Sequence, residues 1–215
     1  MNKIVAIDGP AGSGKGTVAK ILANKLNLTY IDTGAMYRAI AYLTLKNNVD
    51  IKDEDKIIEL AKNSKIEFLN DKVYVNGEDV SSKIRTMEVT RIVSPISSIV
   101  KLREILVDLQ RNMANGLDVI MEGRDITTVV FPNATYKFYL DASTEERAHR
   151  RFKENSLKGM QVTYEEILEN IKKRDYNDMH KEVGALIKSD DAIYIDSTNL
   201  TIDEVVEKIK QIIEV

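Results

Sequence analysis

Ile4-Val5-Ala6-Ile7-Asp8-Gly9-Pro10-Ala11-Gly12-Ser13-Gly14-Lys15-Gly16-Thr17 decides the fold of this 215-residue chain. The run from Lys3 to Asp8 is short, almost wholly apolar and stopped by Gly9. That is the pattern of a parallel strand buried on both faces. The glycines that follow let successive backbone N–H groups curl around an anion without Cβ clashes. Val18, Ile21, Leu22 and Leu26 then recur on one face of a helix from Lys15 to Leu26. The start of that helix adds a partial positive charge. Lys15 is placed to bridge the outer phosphates of a nucleoside triphosphate. Gly9, Pro10, Ala11, Gly12, Ser13, Gly14, Lys15, Gly16 and Thr17 are therefore the candidate triphosphate site. The hydroxyl that usually follows the lysine is displaced here, because Gly16 precedes Thr17. Metal binding then leans on substrate phosphates and water.

Outward from this motif, four more apolar runs read as core strands: Leu28–Ile31, Asp118–Met121, Tyr136–Leu140 and Ala192–Ile195. Helical periodicity separates them at Ala35–Leu45, Glu88–Ala114, Thr144–Lys153, Thr163–Arg174 and Ile202–Ile213. Alternating strands and helices predict an α/β domain with a parallel sheet between two helical layers. Ligands in such sheets bind beyond the C-terminal strand ends, where Asp8, Asp32, Glu122 and Asp141 fall. Residues 64–85 differ in character. Ile66 and Phe68, then Val73 and Val75, alternate, and Asn70-Asp71 and Asn76-Gly77 are turn signals. They predict a small antiparallel hairpin inserted in the core, with a third short strand near Val80.

Composition sets limits. Charged residues make up 30% and apolar ones 43%, an ordinary globular balance. A net charge of -3 argues against a nucleic acid polymer or a membrane surface as the main partner, since phosphate polymers select broad basic surfaces. No run approaches the roughly 18 apolar residues of a membrane span. The chain has no cysteine, so disulfides and thiolate metal sites are excluded. These features fit a cytoplasmic protein.

Beyond the glycine loop lie further motifs. Asp32-Thr33-Gly34-Ala35-Met36-Tyr37-Arg38, Glu122-Gly123-Arg124-Asp125-Ile126 and Arg174-Asp175-Tyr176-Asn177-Asp178 put charge at strand ends and on helices. Arginines grip phosphate oxygens in pairs and stay charged, so Arg38 and Arg124 are candidates to clamp a second, smaller phosphate ligand. Arg147, Arg150 and Arg151, spaced by three and four residues, share one helical face beside the Gly-containing stretch 154–159. A basic face there suits a lid that closes over phosphates. His149 and His180 have no metal-ligand spacing.

Taken with the Gly-Lys-Gly-Thr variant of the loop, these segments resemble the bacterial-type cytidylate kinase family of nucleoside monophosphate kinases, in order, from about residue 3 to about residue 213. The resemblance implies a three-layer α/β/α kinase domain with a five-stranded parallel sheet, spanning residues 1–215. It implies a core at about 1–35, 86–145 and 160–215, an acceptor-binding insertion at about 36–100 and a helical lid at about 145–160. It implies transfer of the γ-phosphoryl of ATP, carried with Mg2+, to CMP or dCMP by a monomer, in pyrimidine nucleotide metabolism. By the same resemblance Ser94, Arg103 and Asp125 face the base, Arg174 and Asp178 lie near the ribose, and Thr33, Tyr37, Arg38, Arg124 and Lys181 complete the CMP site. Lys15, Arg147, Arg150 and Arg151 are the catalytic candidates, with Lys15 and one of Arg150 or Arg151 the costliest losses. Asp32 and Glu122 are candidates to hold the metal through water. Two places depart from the family pattern: Lys181 stands where arginine is usual, losing the planar fork, and Thr127 stands where glycine is frequent.

Three other readings compete. One is a kinase for UMP or a small metabolite. A GTPase switch needs an Asn-Lys-x-Asp motif, and Asn24-Lys25-Leu26-Asn27 ends in the wrong residue. A non-catalytic nucleotide sensor has no use for the acceptor arginines.

Overall fold

The computed structural model describes residues 2–69, 72–157 and 159–214. In chain order the elements begin with β1 (Ile4–Asp8), α1 (Lys15–Leu26), β2 (Thr29–Asp32), α2 (Thr33–Lys46) and α3 (Glu54–Lys62). Then come β3 (Ile66–Leu69), β4 (Lys72–Val75), β5 (Glu78–Asp79), α4 (Met87–Ile96) and α5 (Val100–Ala114). The chain finishes with β6 (Val119–Gly123), β7 (Tyr136–Asp141), α6 (Thr144–Leu157), α7 (Tyr164–Met179), β8 (Ile193–Asp196) and α8 (Ile202–Ile213). The chain divides into two compact units, residues 1–30 with 116–215, and residues 31–115.

The first unit holds the three-layer core that the sequence predicts. The sheet order is β2-β6-β1-β7-β8, and β1 pairs in parallel with both β6 and β7. β6 is buried at every residue, as a central strand covered on both faces must be. Val5, Ile7, Ile120, Phe138, Leu140 and Ile195 of the sheet pack with Val18 and Leu22 of α1 and Val206 and Ile209 of α8. On the other face Tyr139 meets Leu186 and Ala192. Helices α6 and α7 pack through Ala148, Ile167 and Ile171.

The second unit has its own core, from Met36 and Ile40 of α2 to Ile57, Val73, Ile96 and Leu106. Its small sheet, β3-β4-β5, is antiparallel. The predicted third strand is Glu78–Asp79, reached through Asn76 and Gly77 at φ 51° and 82°. Two positive φ values in a two-residue loop match strand twist, which is why Asn-Gly marks this turn. The turn expected at Asn70-Asp71 lies outside the described residues.

Several elements differ from expectation. The single helix predicted over Glu88–Ala114 is two helices, α4 and α5, separated at residues 97–99. Pro95 removes a helical N–H, and the hydroxyls of Ser97 and Ser98 both donate to the Ser94 carbonyl, competing with helix continuation. Helix α3, capped by the Asp53 carboxylate accepting from Lys56 N–H, lies where the sequence predicts no element. The helix predicted to end at Arg174 runs on to Met179. No helix among the described residues is long and apolar enough to cross a membrane.

Candidate active site

The glycine loop joins β1 to α1 in the first unit. A Cβ at Gly9 would stand 2.0 Å from the Leu140 carbonyl oxygen, so the loop enters against β7 where only glycine fits. Gly14 caps α1 at φ 91°, a left-handed conformation that glycine adopts freely. Two arginines hold the loop from outside. Arg147 Nη1 donates to the Ala11 carbonyl at 3.1 Å, and Arg150 Nη1 donates to the Ser13 carbonyl at 3.5 Å. Ser197 Oγ also donates to Ser13, at 3.2 Å. In a planar trans peptide the N–H points opposite to the preceding carbonyl. Anchoring those two carbonyls therefore turns the Gly12 and Gly14 N–H groups away from the arginines.

Lys15 is buried. Its ammonium donates to the Pro10 carbonyl at 3.0 Å and lies 3.9 Å from Glu122 Oε2. Burial pulls its pKa down to about 7, helped by Arg124 and Arg174 and opposed by Glu122 and Asp178. Glu122 also flanks Gly16: a Cβ there would meet Glu122 Oε1 at 3.1 Å. Thr17 is exposed on the first turn of α1.

Beyond the end of β6 stands a second cationic group, organised by one carboxylate. Asp178 Oδ2 accepts from Arg124 Nε at 2.8 Å, and Oδ1 lies 2.9 Å from Lys181 Nζ. Arg174 Nε is 3.8 Å from Oδ2, one turn back on α7. Burial opposes the Asp178 charge, yet Arg124, Lys181 and Arg174 together hold its carboxyl well below the usual range. Burial likewise opposes the Arg124 charge, which Asp178 keeps in place. Asp125 is buried, and its carbonyl accepts from Val129 and Val130 at the start of a π-helical turn, Ile126–Val130. The Asp8 carboxylate receives Ile126 N–H at 2.9 Å and both Thr127 N–H and Oγ1 at 2.7 Å. Burial raises the Asp8 pKa to about 6 against those three hydrogen bonds.

The three lid candidates are not equivalent. Arg147 is buried: it donates to the Ala142 and Ala11 carbonyls, to Thr144 Oγ1 and, at 2.6 Å, to Asp175 Oδ2. Arg150 bonds Glu146, Ser13 and Ser197. Arg151 is exposed and pairs with Glu154 at 2.9 Å. The shared basic face is thus graded from loop anchor to solvent.

The remaining candidates belong to the second unit. Arg103 of α5 is buried, donates to the Ser97 carbonyl at 2.9 Å and stands 5.2 Å over the Tyr37 ring. The break between α4 and α5 is what offers that carbonyl, and Ser94 lies just before it. Arg38 donates to Thr90 Oγ1 at 3.0 Å. Thr33 is buried at the start of α2. Asp32 caps that helix by accepting from Ala35 N–H at 2.9 Å, with Arg85 3.6 Å from its other oxygen. No group of three or more acidic or histidine side chains among the described residues is spaced to hold a metal ion.

Sequence reasoning did not foresee Asp8 and Thr127 as partners, nor the parts of Asp175 and Ser197. Asp8 and Asp175 carried a signal, one as a strand-end acid and one inside Arg-Asp-x-x-Asp. Ser197 carried none.

A glycine cradle on a buried lysine, at the end of the central strand of a parallel sheet, defines a phosphate-loop α/β/α protein. The shikimate kinase of Bacteroides thetaiotaomicron shares the fold: 12% identity, TM-score 0.51, with 99% of each chain covered. The cytidylate kinase family matches residues 5–215, and the chain belongs to that family. It is 53% identical over 205 residues to the cytidylate kinase of Alkaliphilus oremlandii, covering 95% of this chain and 94% of the relative. It is 52% identical to that of Caldanaerobacter subterraneus subsp. tengcongensis, covering 97% and 93%.

Proposed function

We propose that this chain transfers the γ-phosphoryl of ATP to CMP or dCMP, giving ADP and CDP or dCDP. The observation that carries the reading lies within the first unit. Four cations, Lys15, Arg124, Arg174 and Lys181, stand against two carboxylates, Glu122 and Asp178, and Arg124 and Arg174 lower the pKa of Lys15. The triphosphate cradle and a second cationic group are therefore close enough to feel each other. A hydrolase has no need of the second group; a kinase with a phosphate-bearing acceptor does.

The mechanism follows from the placement. ATP occupies residues 9–17, and Lys15 leaves the Pro10 carbonyl for the β- and γ-phosphates. In the first unit Arg124 grips the acceptor phosphate; in the second unit Arg38 is a candidate phosphate ligand. Asp125 of the first unit is an acceptor suited to the base's amino group, and Arg103 and Ser94 of the second unit are donors suited to its ring nitrogen and carbonyl. Thr33 and Tyr37 are further CMP-site candidates within the second unit. Asp178 and Arg174 serve the ribose, and Lys181 acts by holding Asp178. A CMP phosphate oxygen forms the new bond to the γ-phosphorus while the bond to the β-bridging oxygen breaks and ADP leaves. The second pKa of a phosphomonoester is about 6, so the attacking oxygen is already ionised and positioning with charge stabilisation suffices. One of Arg150 or Arg151 meets the transferring group, while Arg147 keeps the loop in shape.

Glu122, through water, would hold an Mg2+ ion carried with ATP, and that ion would supply charge neutralisation at the phosphates. The residues fit a water-held ion: Gly16 offers no hydroxyl, while Glu122 sets a hard oxygen beside it. Asp32, occupied as a helix cap, is the weaker candidate. The reading carries with it a cytoplasmic monomer.

Steady-state kinetics of Arg124→Ala test the assignment. The KM for CMP rises at least about tenfold, as loss of a charged clamp requires, while the KM for ATP stays within about twofold. Unchanged KM for CMP removes Arg124 from the acceptor site.

A further inference from the structure

β1 ends at Asp8, and the next residue opens the glycine loop. The same Asp8 has two ties to the segment that carries Arg124 and Asp125. Its backbone stands in register with Gly123 of β6. Its carboxylate receives three donors from the other side of that pair of residues, Ile126 N–H, Thr127 N–H and Thr127 Oγ1. Residues 124 and 125 are therefore a two-residue span fixed at both ends by one aspartate. Asp8 and Thr127 are at most 1% exposed, so neither is available to a ligand. A carboxylate buried there without donors is strongly disfavoured, and Thr127 supplies two of the three. The turn it anchors is π-helical, a geometry that is rare and frequent at functional sites.

We propose that Asp8 and Thr127 are positioning residues that hold the Arg124–Asp125 span at a set distance from the triphosphate loop. The inference rests on the kinase reading above. A side chain that reacts with nothing then decides how well the acceptor phosphate lines up with the γ-phosphoryl. Thr127 matters for its hydroxyl as well as its N–H, so glycine or valine at this place keeps the backbone bond and loses the third tie.

The test is steady-state kinetics of Thr127→Val, Thr127→Ser, Asp8→Asn and the Asp8→Asn/Thr127→Val double variant, with melting temperatures in parallel. Misplacement of a bound group by about 1 Å can cost on the order of a hundredfold in rate. Thr127→Val is expected to lower kcat/KM for CMP about tenfold or more, with the KM for ATP within about twofold. Thr127→Ser restores it to within about twofold. The double variant loses less than the product of the single losses, because the two changes remove a shared bond. If Asp8→Asn does not fold, the Val and Ser pair alone decides. Thr127→Val with unaltered kinetics overturns the proposal. So does a rise in both Michaelis constants together, or a lowered melting temperature with kcat/KM for CMP intact. A wild-type chain that phosphorylates no monophosphate sinks the kinase reading instead, and is recognised before any variant is compared.

Discussion

Arg147 Nη2 donates to Asp175 Oδ2 at 2.6 Å, and both residues are buried. The same guanidinium holds the Ala11 carbonyl of the triphosphate loop. Asp175→Asn or Arg147→Ala should therefore lower stability by about 3 kcal/mol or more, the usual loss when one member of a buried pair is left behind. Arg147→Met combined with Asp175→Leu should recover part of that loss, because no uncompensated charge remains. Chemical denaturation of the three variants measures it. A loss under about 1 kcal/mol for either single change would show that the pair carries little.

Arg151 separates support from turnover. It is exposed and bonded to Glu154, so Arg151→Ala should leave stability within about 0.5 kcal/mol. If Arg151 meets the transferring phosphoryl, kcat falls by about a thousandfold, the lower range for an arginine in that role. Arg150→Ala is expected to raise the KM for ATP as well, through the Ser13 carbonyl it holds. Equal, small effects of both changes on kcat would take the helix out of the chemistry.

Lys15 gives a proton-linked signature. Its pKa in the folded chain is near 7, below the ordinary value of 10.5, mainly through burial. Between those values the unfolded chain holds the proton and the folded chain does not, so this group's contribution to stability rises with pH from about 7 to 10.5. Below pH 7 both states are protonated and the full penalty of burying the charge is present. Phosphates bound at the loop favour the charged form, so ATP binding at pH 8 should take up a fraction of a proton. Calorimetry in buffers of different ionisation enthalpy reads that uptake, and Lys15→Met should abolish it. Zero uptake by the wild-type chain, or the same uptake by the variant, would refute the assignment.

Gly9 is the tightest place in the loop. A methyl group there would sit 2.0 Å from the Leu140 carbonyl oxygen, backbone that cannot rotate away. Gly9→Ala is predicted to destabilise by at least about 2 kcal/mol and to abolish ATP binding. A variant with wild-type melting temperature and KM for ATP would mean that the β1–β7 approach is looser than the geometry states.

Much of this was readable in the sequence because it is local chemistry. Gly9 to Thr17 follow one strand and open one helix, and Asn76-Gly77 specifies its turn by φ alone. The division of α4 from α5 was not readable from periodicity: Val93, Ile96, Leu102 and Leu106 continue an apolar pattern across the break, and only Pro95 and the serines hint at it. The site's acids were harder still. Asp8 meets Thr127 across 119 residues, and Asp175 meets Arg147 across 28. No helical or strand period links such pairs. The sequence shows that Arg147, Arg150 and Arg151 share a helix; it takes the fold to show that one is an anchor and one faces solvent.

The most direct test of the whole account is ADP release from ATP and Mg2+ with CMP, dCMP, UMP, AMP and GMP as acceptors, measured side by side. CMP and dCMP are predicted to exceed every other acceptor by at least about tenfold in kcat/KM, as a site hydrogen-bonded to the base edge requires. UMP or AMP accepting better than CMP would contradict it.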